Sequence, residues 1–382
     1  MESKKNILFI SHDGNRAGAQ IFLFNIMRFF KREKYGVVLL ILNNWGSLRE
    51  EFETNFDTFY LDSENPGSKI KKIKELLGTK KNLLQEINRK YKIDLIYANT
   101  IASVDILEEV KTIFNKPIIS HIHELSFSIE QFGSKGCLEK LKSYSTKIIA
   151  CSESVKANLV LKSIDFELKT IVVHSFVENE KILDIHHKEN VMEVKKEFGI
   201  EGKHFLIGAC GNADWRKAPD VFLSIVKEVV SKTEHVKFIW VGVNKNDILF
   251  FQLSYDAKKL GIEKFITWLP ATPKAVSILN SLDVFLVCSR EDPFPLVMLE
   301  AALCEKPIVG FKNTGGAEEF IEEDCGFTSS YLDIKSISQN IITLQKDPIL
   351  AKRMGKSAQN KVLKNYSFEN SIIKIEEIIQ SF

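Results

Sequence analysis

The segment 284–301, VFLVCSREDPFPLVMLEA, combines a strand pattern, a short polar loop and a helix pattern in immediate succession. Its first part is a continuous apolar run, which is typical of a strand covered on both faces of a sheet. Pro295 suits the first position of a helix, and the residues after it are almost all apolar. The segment therefore predicts one strand–loop–helix unit of a parallel sheet.

The same kind of unit recurs along the chain on both sides of this segment. Continuous apolar strands joined by helices predict parallel sheets with helices on both faces. We therefore predict an α/β fold with two doubly wound, Rossmann-like domains that face each other across a cleft lined by the loops after the strands. The strands of the first series are NILFIS, YGVVLLILN, FYLD, DLIYANT, PIISHIHE, KIIACS and TIVVHSF, and those of the second are FLIGACG, VKFIWVG, FITWLP, VFLVCS and PIVGF.

The domain boundaries follow from a polar stretch between the two series. A chain of 382 residues is too long for one ordinary core, so two domains are expected. We predict a first domain at 1–180, a linker at 181–203 and a second domain at 204–365. A closing helix at 366–382 is a candidate to pack back onto the first domain.

Bulk composition excludes several classes of protein. The net charge of +2 gives no reason to expect a nucleic-acid partner. The six cysteines show no metal-ligand spacing and predict reduced thiols. The sequence has neither a signal-peptide pattern nor an apolar run of about 18 residues, so we predict a cytoplasmic location.

One segment has a strong local charge. Residues 69–92 contain nine lysines and arginines but only two glutamates. The two interpretations are a solvated helix face and a surface for peripheral contact with anionic lipid at the inner face of a membrane.

Two loops after strands have the residues expected of an anion site. In SHDGNRAGAQ, Gly18 opens a helix whose first amides are able to approach an anion, although a tight turn without a ligand explains it equally well. In GNADWRKAP, Gly211 permits a sharp exit from the strand. Arg216 and Lys217 then precede a helix, either as partners of a diphosphate or as a solvated pair of cations.

The opening segment gives the strongest signal for a ligand. The amides of Leu296 and Val297 lack helical partners and favour a phosphate. Glu300 lies more than one turn into an apolar helix, where its carboxylate suits a vicinal diol such as a ribose. Asp292 is able to accept bonds from other hydroxyl groups of the same ligand. The alternative is structural, with Asp292 as a helix cap and Glu300 paired with a cation.

Two further motifs follow strands. Gly315 and Gly316 allow close approach of the backbone to a ligand, whereas the glutamates after them also suit a first helical turn. His123 lies at the end of HIHE and is a candidate to bind a substrate hydroxyl, although a lone histidine is more often structural.

The ordered set GNADWRKAPDVFL, SREDPFPLVMLEA and KPIVGFKNTGGAEEFI resembles the second domain of the retaining glycosyltransferases of family 4, also called group 1 glycosyl transferases, which have the GT-B fold. The resemblance covers nearly the whole second domain. The first domain is similar more loosely, through the loop at Gly18, HIHE and ACSESV.

The resemblance implies roles for individual residues. It implies that Lys217, with Arg216, contacts the diphosphate of a nucleotide sugar, that the amides of Leu296 and Val297 bind phosphate, and that Glu300 binds the ribose. It places His123 near the transferred sugar. Together with Gly18, Gly211, Gly315 and Gly316 these form the predicted donor site, and His123, Asp292 and Lys217 are the predicted catalytic residues.

This chain departs from the family pattern at two positions. The family has two glutamates separated by seven residues, whereas here Asp292 stands eight residues before Glu300 and Glu291 stands nine before it. Register favours Asp292 as the sugar contact, with Glu291 as the alternative. Asn212 stands where the family often has arginine, which favours Arg216 as a substitute cation.

The sequence thus predicts a retaining glycosyltransferase of the hexosyltransferase type that uses a nucleotide-diphosphate sugar as substrate. It has no Asp-x-Asp pattern, so no metal or other cofactor is expected. The expected acceptor is a glycan or lipid-linked glycan in cell-surface polysaccharide synthesis. Two alternatives remain open, which are a sugar-nucleotide epimerase of the same fold and a catalytically silent partner that binds nucleotide sugars.

Overall fold

A computed structural model describes residues 5–33, 35–62, 79–200 and 202–382. The chain divides into two compact units. Unit 1 comprises Met1–Ser175 and Ile372–Phe382, and unit 2 comprises Phe176–Ser371. Each unit contains one parallel sheet and the helices packed on it, so the predicted α/β class with two Rossmann-like domains is confirmed.

Within the described part of unit 1, seven parallel strands form one sheet. They are β1 (Asn6–Ser11), β2 (Gly36–Asn43), β3 (Asp57–Asp62), β4 (Leu95–Asn99), β5 (Ile118–Ile122), β6 (Lys147–Ala150) and β7 (Thr170–Val172). Their order in the sheet is β3-β2-β1-β4-β5-β6-β7. Since β1 has β2 on one side and β4 on the other, the chain reverses direction across the sheet there, which is where ligands of such folds bind.

The helices of unit 1 bury one face against this sheet. In the first of them, five apolar side chains at helical spacing are buried, from Phe22 to Phe30. The residues 69–78 of the predicted basic segment lie outside the described residues. The described helices are α1 (Gly18–Arg32), α2 (Arg49–Asn55), α3 (Thr79–Tyr91), α4 (Leu107–Phe114), α5 (Ser126–Phe132), α6 (Cys137–Tyr144), α7 (Glu153–Lys162) and α8 (Phe166–Lys169), with a 3₁₀ helix at Ile101–Ile106.

The described part of unit 2 has a six-stranded parallel sheet. Its strands are β8 (Phe205–Cys210), β9 (Val236–Val241), β10 (Ile266–Leu269), β11 (Val284–Val287), β12 (Ile308–Phe311) and β13 (Gly326–Ser329), in the order β10-β9-β8-β11-β12-β13. The sequence did not predict β13, which has only one large apolar residue. Gly326 permits it, because an added Cβ there would lie 1.7 Å from the carbonyl oxygen of Ile308.

The helices of unit 2 include two in the segment that the sequence predicted as a linker. His186 Nδ1 lies 2.8 Å from Asn280 Oδ1, and Ser277 donates a hydrogen bond of 2.8 Å to Glu189, so that segment packs on unit 2. The helices are α9 (Asn179–Lys188), α10 (Val191–Glu197), α11 (Pro219–Val230), α12 (Ile248–Lys259), α13 (Ala275–Asn280), α14 (Leu296–Leu303), α15 (Gly316–Ile321), α16 (Ile334–Lys346), α17 (Pro348–Asn365) and α18 (Phe368–Gln380), with a 3₁₀ helix at Glu263–Phe265.

The last part of α18 belongs to unit 1. Tyr35 Oη donates to a carboxylate oxygen of Glu376 at 3.0 Å, and Lys5 Nζ donates to the carbonyl of Ile379 at 3.1 Å. Of all the described helices, none is both long enough and apolar enough to cross a membrane.

Candidate active site

Lys217 and Asp292 form an ion pair at the carboxyl edge of the sheet of unit 2. They lie in the loops after β8 and β11, which are neighbouring strands. Lys217 Nζ is 2.5 Å from Asp292 Oδ2, and the side chains are only 16% and 8% exposed. Ser289 Oγ donates to the same carboxylate oxygen at 3.2 Å. The structure thus brings together the predicted diphosphate cation and the predicted sugar contact.

Gly211 makes room for the lysine side chain. Its φ of +147° lies in the region that favours glycine. A Cβ at this position would approach Lys217 Cε to 3.0 Å and Cδ to 3.2 Å. The carbonyl of Gly211 accepts a hydrogen bond of 3.1 Å from Trp240 Nε1. The small residue predicted at this turn therefore lets the stem of Lys217 lie against the strand exit.

The backbone around Lys217 forms a tight turn. The amide of Lys217 donates to Asp214 Oδ1 at 2.8 Å, and Ala218 has a φ of +61°. Arg216 lies beside this turn, with its guanidinium 3.7 Å from Asp214 Oδ2. The carbonyl of Arg216 accepts a bond of 2.7 Å from the amide of Arg290. Arg216 is thus next to the ion pair but does not take part in it.

The glycine loop after β12 holds the backbone of Asp292. The amide of Asp292 donates to the carbonyl of Thr314 at 2.7 Å, and the amide of Gly316 donates to the carbonyl of Asp292 at 3.1 Å. Gly315 has a φ of +129°, which favours glycine. At Gly316, an added Cβ would lie 2.6 Å from the carbonyl of Pro293. The two predicted glycines therefore hold the backbone of Asp292.

Helix α14 begins beside this ion pair, one residue later than predicted. Pro295 has an extended ψ of 113° and caps the helix instead of occupying its first turn. Leu296 and Val297 are its first two residues and are half-buried. Their amides have no acceptor within the helix, because the first turn has none to offer. Anion binding by these two amides stays a prediction.

Glu300 is half-buried one turn further along α14. Among the described residues, no hydrogen bond or ion pair is formed by its carboxylate. Burial raises the pKa of Glu300 to about 7, and the charge of Lys181 only partly opposes this effect. The charge of Glu300 also contributes to raising the pKa of Cys210, which burial has already raised to about 12. Within the described part of the chain, Glu300 is thus a carboxylate without a hydrogen-bond or ion-pair partner, and Lys181 acts on it only through its charge.

The remaining acidic residues have other surroundings. The amide of Glu291 lies 3.5 Å from the carbonyl of Arg216, a weak contact at best. Glu318 accepts a hydrogen bond of 2.9 Å from the amide of Asn313, which is the structural alternative that the sequence left open for this residue. Asp292 is the acid that forms the ion pair with Lys217, and the choice between Asp292 and Glu291 as the sugar contact stays a prediction.

In unit 1, His123 lies just after β5 with a buried polar neighbour. Its Nε2 is 2.9 Å from Asn99 Oδ1, and the Asn99 amide nitrogen donates to the carbonyl of Ala19 at 3.1 Å. The Asn99 oxygen must therefore accept, so His123 Nε2 carries the proton and Nδ1 has the free lone pair. Burial lowers the pKa of His123 to about 3, so the imidazole is neutral.

The ring of His121 packs against that of His123. The two rings stack with centroids 4.2 Å apart, and His121 Nδ1 lies 2.6 Å from Tyr97 Oη. Burial lowers the pKa of His121 well below its usual value and raises that of Tyr97, so the tyrosine donates to a neutral ring. His121 therefore has a structural role.

A polar cluster that the sequence did not predict surrounds the end of β1, near the start of α1 at Gly18. His12 Nδ1 lies 2.9 Å from Thr100 Oγ1, and Gln20 donates to Asp13 Oδ1 at 2.6 Å. Burial acts to raise the pKa of Asp13, but hydrogen bonds and the charge of His12 outweigh it and lower the pKa. The sequence signal for this cluster was its position. His12 and Asp13 follow β1, and Thr100 follows β4, at the switch between these two strands.

A small cavity in unit 2 marks where these groups meet. Cys210, Lys217, Ser289, Asp292 and Val297 are among the residues that line it. No group of three histidine, cysteine, aspartate or glutamate side chains in 5–33, 35–62, 79–200 or 202–382 is arranged to hold a metal ion. The edge of the sheet thus offers a cation, helix amides, a paired acid and an unpaired acid.

Part of this chain is similar in sequence to known glycosyltransferases. The family described as glycosyl transferases group 1 matches residues 190–361. The N-acetyl-alpha-D-glucosaminyl L-malate synthase of Bacillus anthracis is 27% identical over 208 residues, which are 54% of this chain and 52% of that protein. The capsular polysaccharide biosynthesis glycosyltransferase CapM of Staphylococcus aureus is 22% identical over 253 residues, 64% of either chain.

A solved structure extends the similarity to both units. The crystal structure of Anabaena Alr3699/HepE in complex with UDP and glucose has a TM-score of 0.83 and 20% identity, and the match covers 98% of this chain and 99% of that one. The chain spans only about half to two thirds of the length of the two curated relatives. Residues 190–361 therefore form a domain of the glycosyl transferases group 1 family, within a chain that has the fold of GT-B glycosyltransferases.

Proposed function

We propose that this chain is a retaining, metal-independent glycosyltransferase that moves a hexosyl group from a nucleotide-diphosphate sugar to a hydroxyl group of a glycan or lipid-linked glycan. One observation carries the proposal, which is that Lys217 and the start of α14 line one cavity with Cys210, and that the charge of Glu300 acts on the same cysteine. A cation and free amides suit a diphosphate, and a carboxylate suits two adjacent hydroxyl groups. A nucleoside diphosphate presents both.

The proposed reaction uses fixed charges at the leaving group. As the bond between the anomeric carbon and the phosphate oxygen breaks, negative charge grows on the diphosphate. Lys217 and the amides of Leu296 and Val297 offset it, with Arg216 as a second cation beside the turn. The acceptor oxygen bonds to the anomeric carbon on the same face, and its proton passes to the departing phosphate oxygen.

The proposed sugar contact in unit 2 is the second carboxylate oxygen of Asp292. Asp292 uses Oδ2 for Lys217 and Ser289, and among the described residues no hydrogen bond uses its Oδ1. That oxygen is placed to accept from a sugar hydroxyl, next to the backbone of Gly315. In unit 1, the lone pair of His123 Nδ1 suits a hydroxyl group of a substrate.

We further propose that the reaction belongs to cell-surface polysaccharide synthesis. CapM is named for capsular polysaccharide biosynthesis, which supports a glycan acceptor. The six cysteines are reduced, which favours the cytoplasm, and the basic segment 69–92 favours the inner face of the membrane. Reversal of Lys71, Lys72 and Lys74 to glutamate should release the protein from vesicles that contain phosphatidylserine, and unchanged binding would refute the contact.

Nucleotide release tests the proposed function. The wild-type chain is incubated with UDP-glucose, UDP-galactose, UDP-N-acetylglucosamine, GDP-mannose and ADP-glucose, each with and without octyl glycosides as acceptors. Release that rises with acceptor, persists in EDTA and yields the α-anomer from an α-donor supports the proposal. Isomerised donor without acceptor indicates the epimerase, and binding without turnover indicates a silent partner.

A further inference from the structure

Arg290 lies in the loop after β11, two residues before Asp292. Neither the sequence nor the proposed function gives it a role. Its side chain is only 14% exposed. The guanidinium makes a two-pronged contact with Asp220, at 2.9 Å from NH1 to Oδ1 and 2.5 Å from NH2 to Oδ2. Such a fork is the strongest geometry available to an arginine and a carboxylate.

Arg290 also contacts the residues that precede Lys217. NH1 donates to the carbonyl of Trp215 at 3.0 Å, and the guanidinium carbon lies 5.2 Å from the centre of the Trp215 ring. The backbone amide of Arg290 donates to the carbonyl of Arg216 at 2.7 Å. One residue of the loop after β11 is therefore bound to both sides of Lys217.

The turn that presents Lys217 depends on such support. Ala218 occupies the left-handed region with a φ of +61°, which costs free energy in any residue with a side chain. The cap from Asp214 to the amide of Lys217 holds one end of the turn. Asp220, in the first turn of α11, links the other end of the turn to Arg290.

We propose that Arg290 is a positioning residue for sugar transfer, which fixes the turn 214–220 so that the ammonium of Lys217 lies at Asp292 and meets the diphosphate. This inference rests on the proposed function. Through Arg290, the segment 284–301 also aligns Lys217, the cation in the loop after β8.

The charges of Arg290 and Asp220 favour an ion pair that persists at neutral pH. Partial burial acts to raise the pKa of Asp220, but the hydrogen bonds and charge of Arg290 outweigh it and lower the pKa. The pair is therefore ionised at neutral pH. A lysine at position 290 would keep the charge but could not reproduce the planar fork.

The test uses two variants that separate position from charge. Arg290→Lys keeps the positive charge but removes the planar fork. Asp220→Asn keeps the shape of the acceptor side chain, which is 54% exposed, but removes its charge. Asp324→Asn is the matched control, because Asp324 is 52% exposed and binds Lys361 at 2.5 Å. It lies before β13, at the opposite edge of the same sheet.

The readouts are kcat and KM for the donor that wild type turns over fastest, together with the thermal midpoint. We expect Arg290→Lys and Asp220→Asn to lower kcat roughly 10- to 100-fold, because small displacements of a catalytic group have effects of that size. Donor KM should change by less than about threefold, as expected when the affected interaction strengthens only in the transition state. Asp324→Asn should keep the wild-type kcat.

Wild-type kcat in Arg290→Lys would overturn the inference, since charge alone would then suffice. An equal loss in Asp324→Asn would overturn it as well, because the loss would follow general destabilisation. A wild-type chain that turns over none of the five donors refutes the proposed function, whereas an active wild type with unaffected variants refutes only the role of Arg290.

Discussion

Replacement of Glu300 by glutamine should stabilise the ligand-free protein and at the same time weaken nucleotide binding. Burial raises the pKa of Glu300 from 4.5 to about 7. One pKa unit corresponds to about 1.4 kcal/mol, so the ionised side chain lowers the free energy of unfolding by up to about 3 kcal/mol. Because the side chain is half-buried and keeps some contact with water, we expect a gain of about 2 kcal/mol for glutamine.

The sign of this effect fixes its pH dependence. An acid whose pKa is raised on folding binds more protons in the folded state, so its ionisation destabilises the fold as pH rises. Below pH 4.5 the carboxyl group is protonated in both states, and Glu300→Gln should match wild type. The advantage should grow between pH 4.5 and 7 and be complete above that range.

Thermal melts at pH 4.5 and pH 8 measure the stability half of the prediction. For a unit of this size, about 2 kcal/mol corresponds to a rise of roughly 4–8 °C in the thermal midpoint. Glu323→Gln is the control, because Glu323 is an exposed glutamate of the same unit. This control should leave the midpoint unchanged at both pH values.

The binding half uses whichever of UDP, GDP and ADP stabilises the wild-type chain most. Glutamine offers one acceptor oxygen where the carboxylate offers two, and hydrogen bonds to charged groups contribute about 1.5–3 kcal/mol. We therefore expect affinity to fall about 10- to 100-fold at pH 8. A variant that melts at or below the wild-type temperature at pH 8, or that binds the nucleotide as tightly as wild type, would refute the assignment of Glu300.

Two further predictions concern the surroundings of Lys217 and His123. Gly211→Ala should lower turnover at least about tenfold, because the added Cβ would displace Lys217 Cε from a distance of 3.0 Å. Gly261 also has a positive φ, of +70°, but has open space around it. Gly261→Ala should therefore lose only stability, and equal activity in the two variants would contradict this reasoning. The pKa of His123 is about 3, so His123→Gln should lower turnover by a constant factor between pH 5 and 9. A factor that varies with pH through a step near 6.5 would show a titrating histidine instead.

Much of the fold is predictable because the strands of both sheets are buried on both faces. Such strands appear as continuous apolar runs, and the glycines and prolines around them mark where each run ends. Strand β13 escaped prediction because its four residues, Gly326–Ser329, have little apolar character and depend on a close approach to β12. Helices α9 and α10 escaped because polar residues dominate a segment whose few buried side chains meet α13.

The positions of the candidate donor residues in unit 2 are predictable from the sequence, but their contacts are not. Lys217 and Asp292 were each expected at the edge of the sheet, whereas their ion pair depends on β8 and β11 being neighbours. Arg290 gave no signal, because its partners lie some 70 residues earlier in the chain. Asn99 gave none either, since its importance comes from the position of His123 on the adjacent strand.

The central claim is that Lys217 neutralises the departing diphosphate, and the turnover of Lys217→Ala tests it most directly. Loss of one preorganised electrostatic partner typically lowers kcat about 10²- to 10³-fold. Lys232→Ala serves as the control, because Lys232 lies two residues after the end of α11, is 40% exposed and pairs with Glu228 on the surface of unit 2. We predict a loss of at least about 100-fold in Lys217→Ala and none in Lys232→Ala. Wild-type turnover in a folded Lys217→Ala protein would contradict the account.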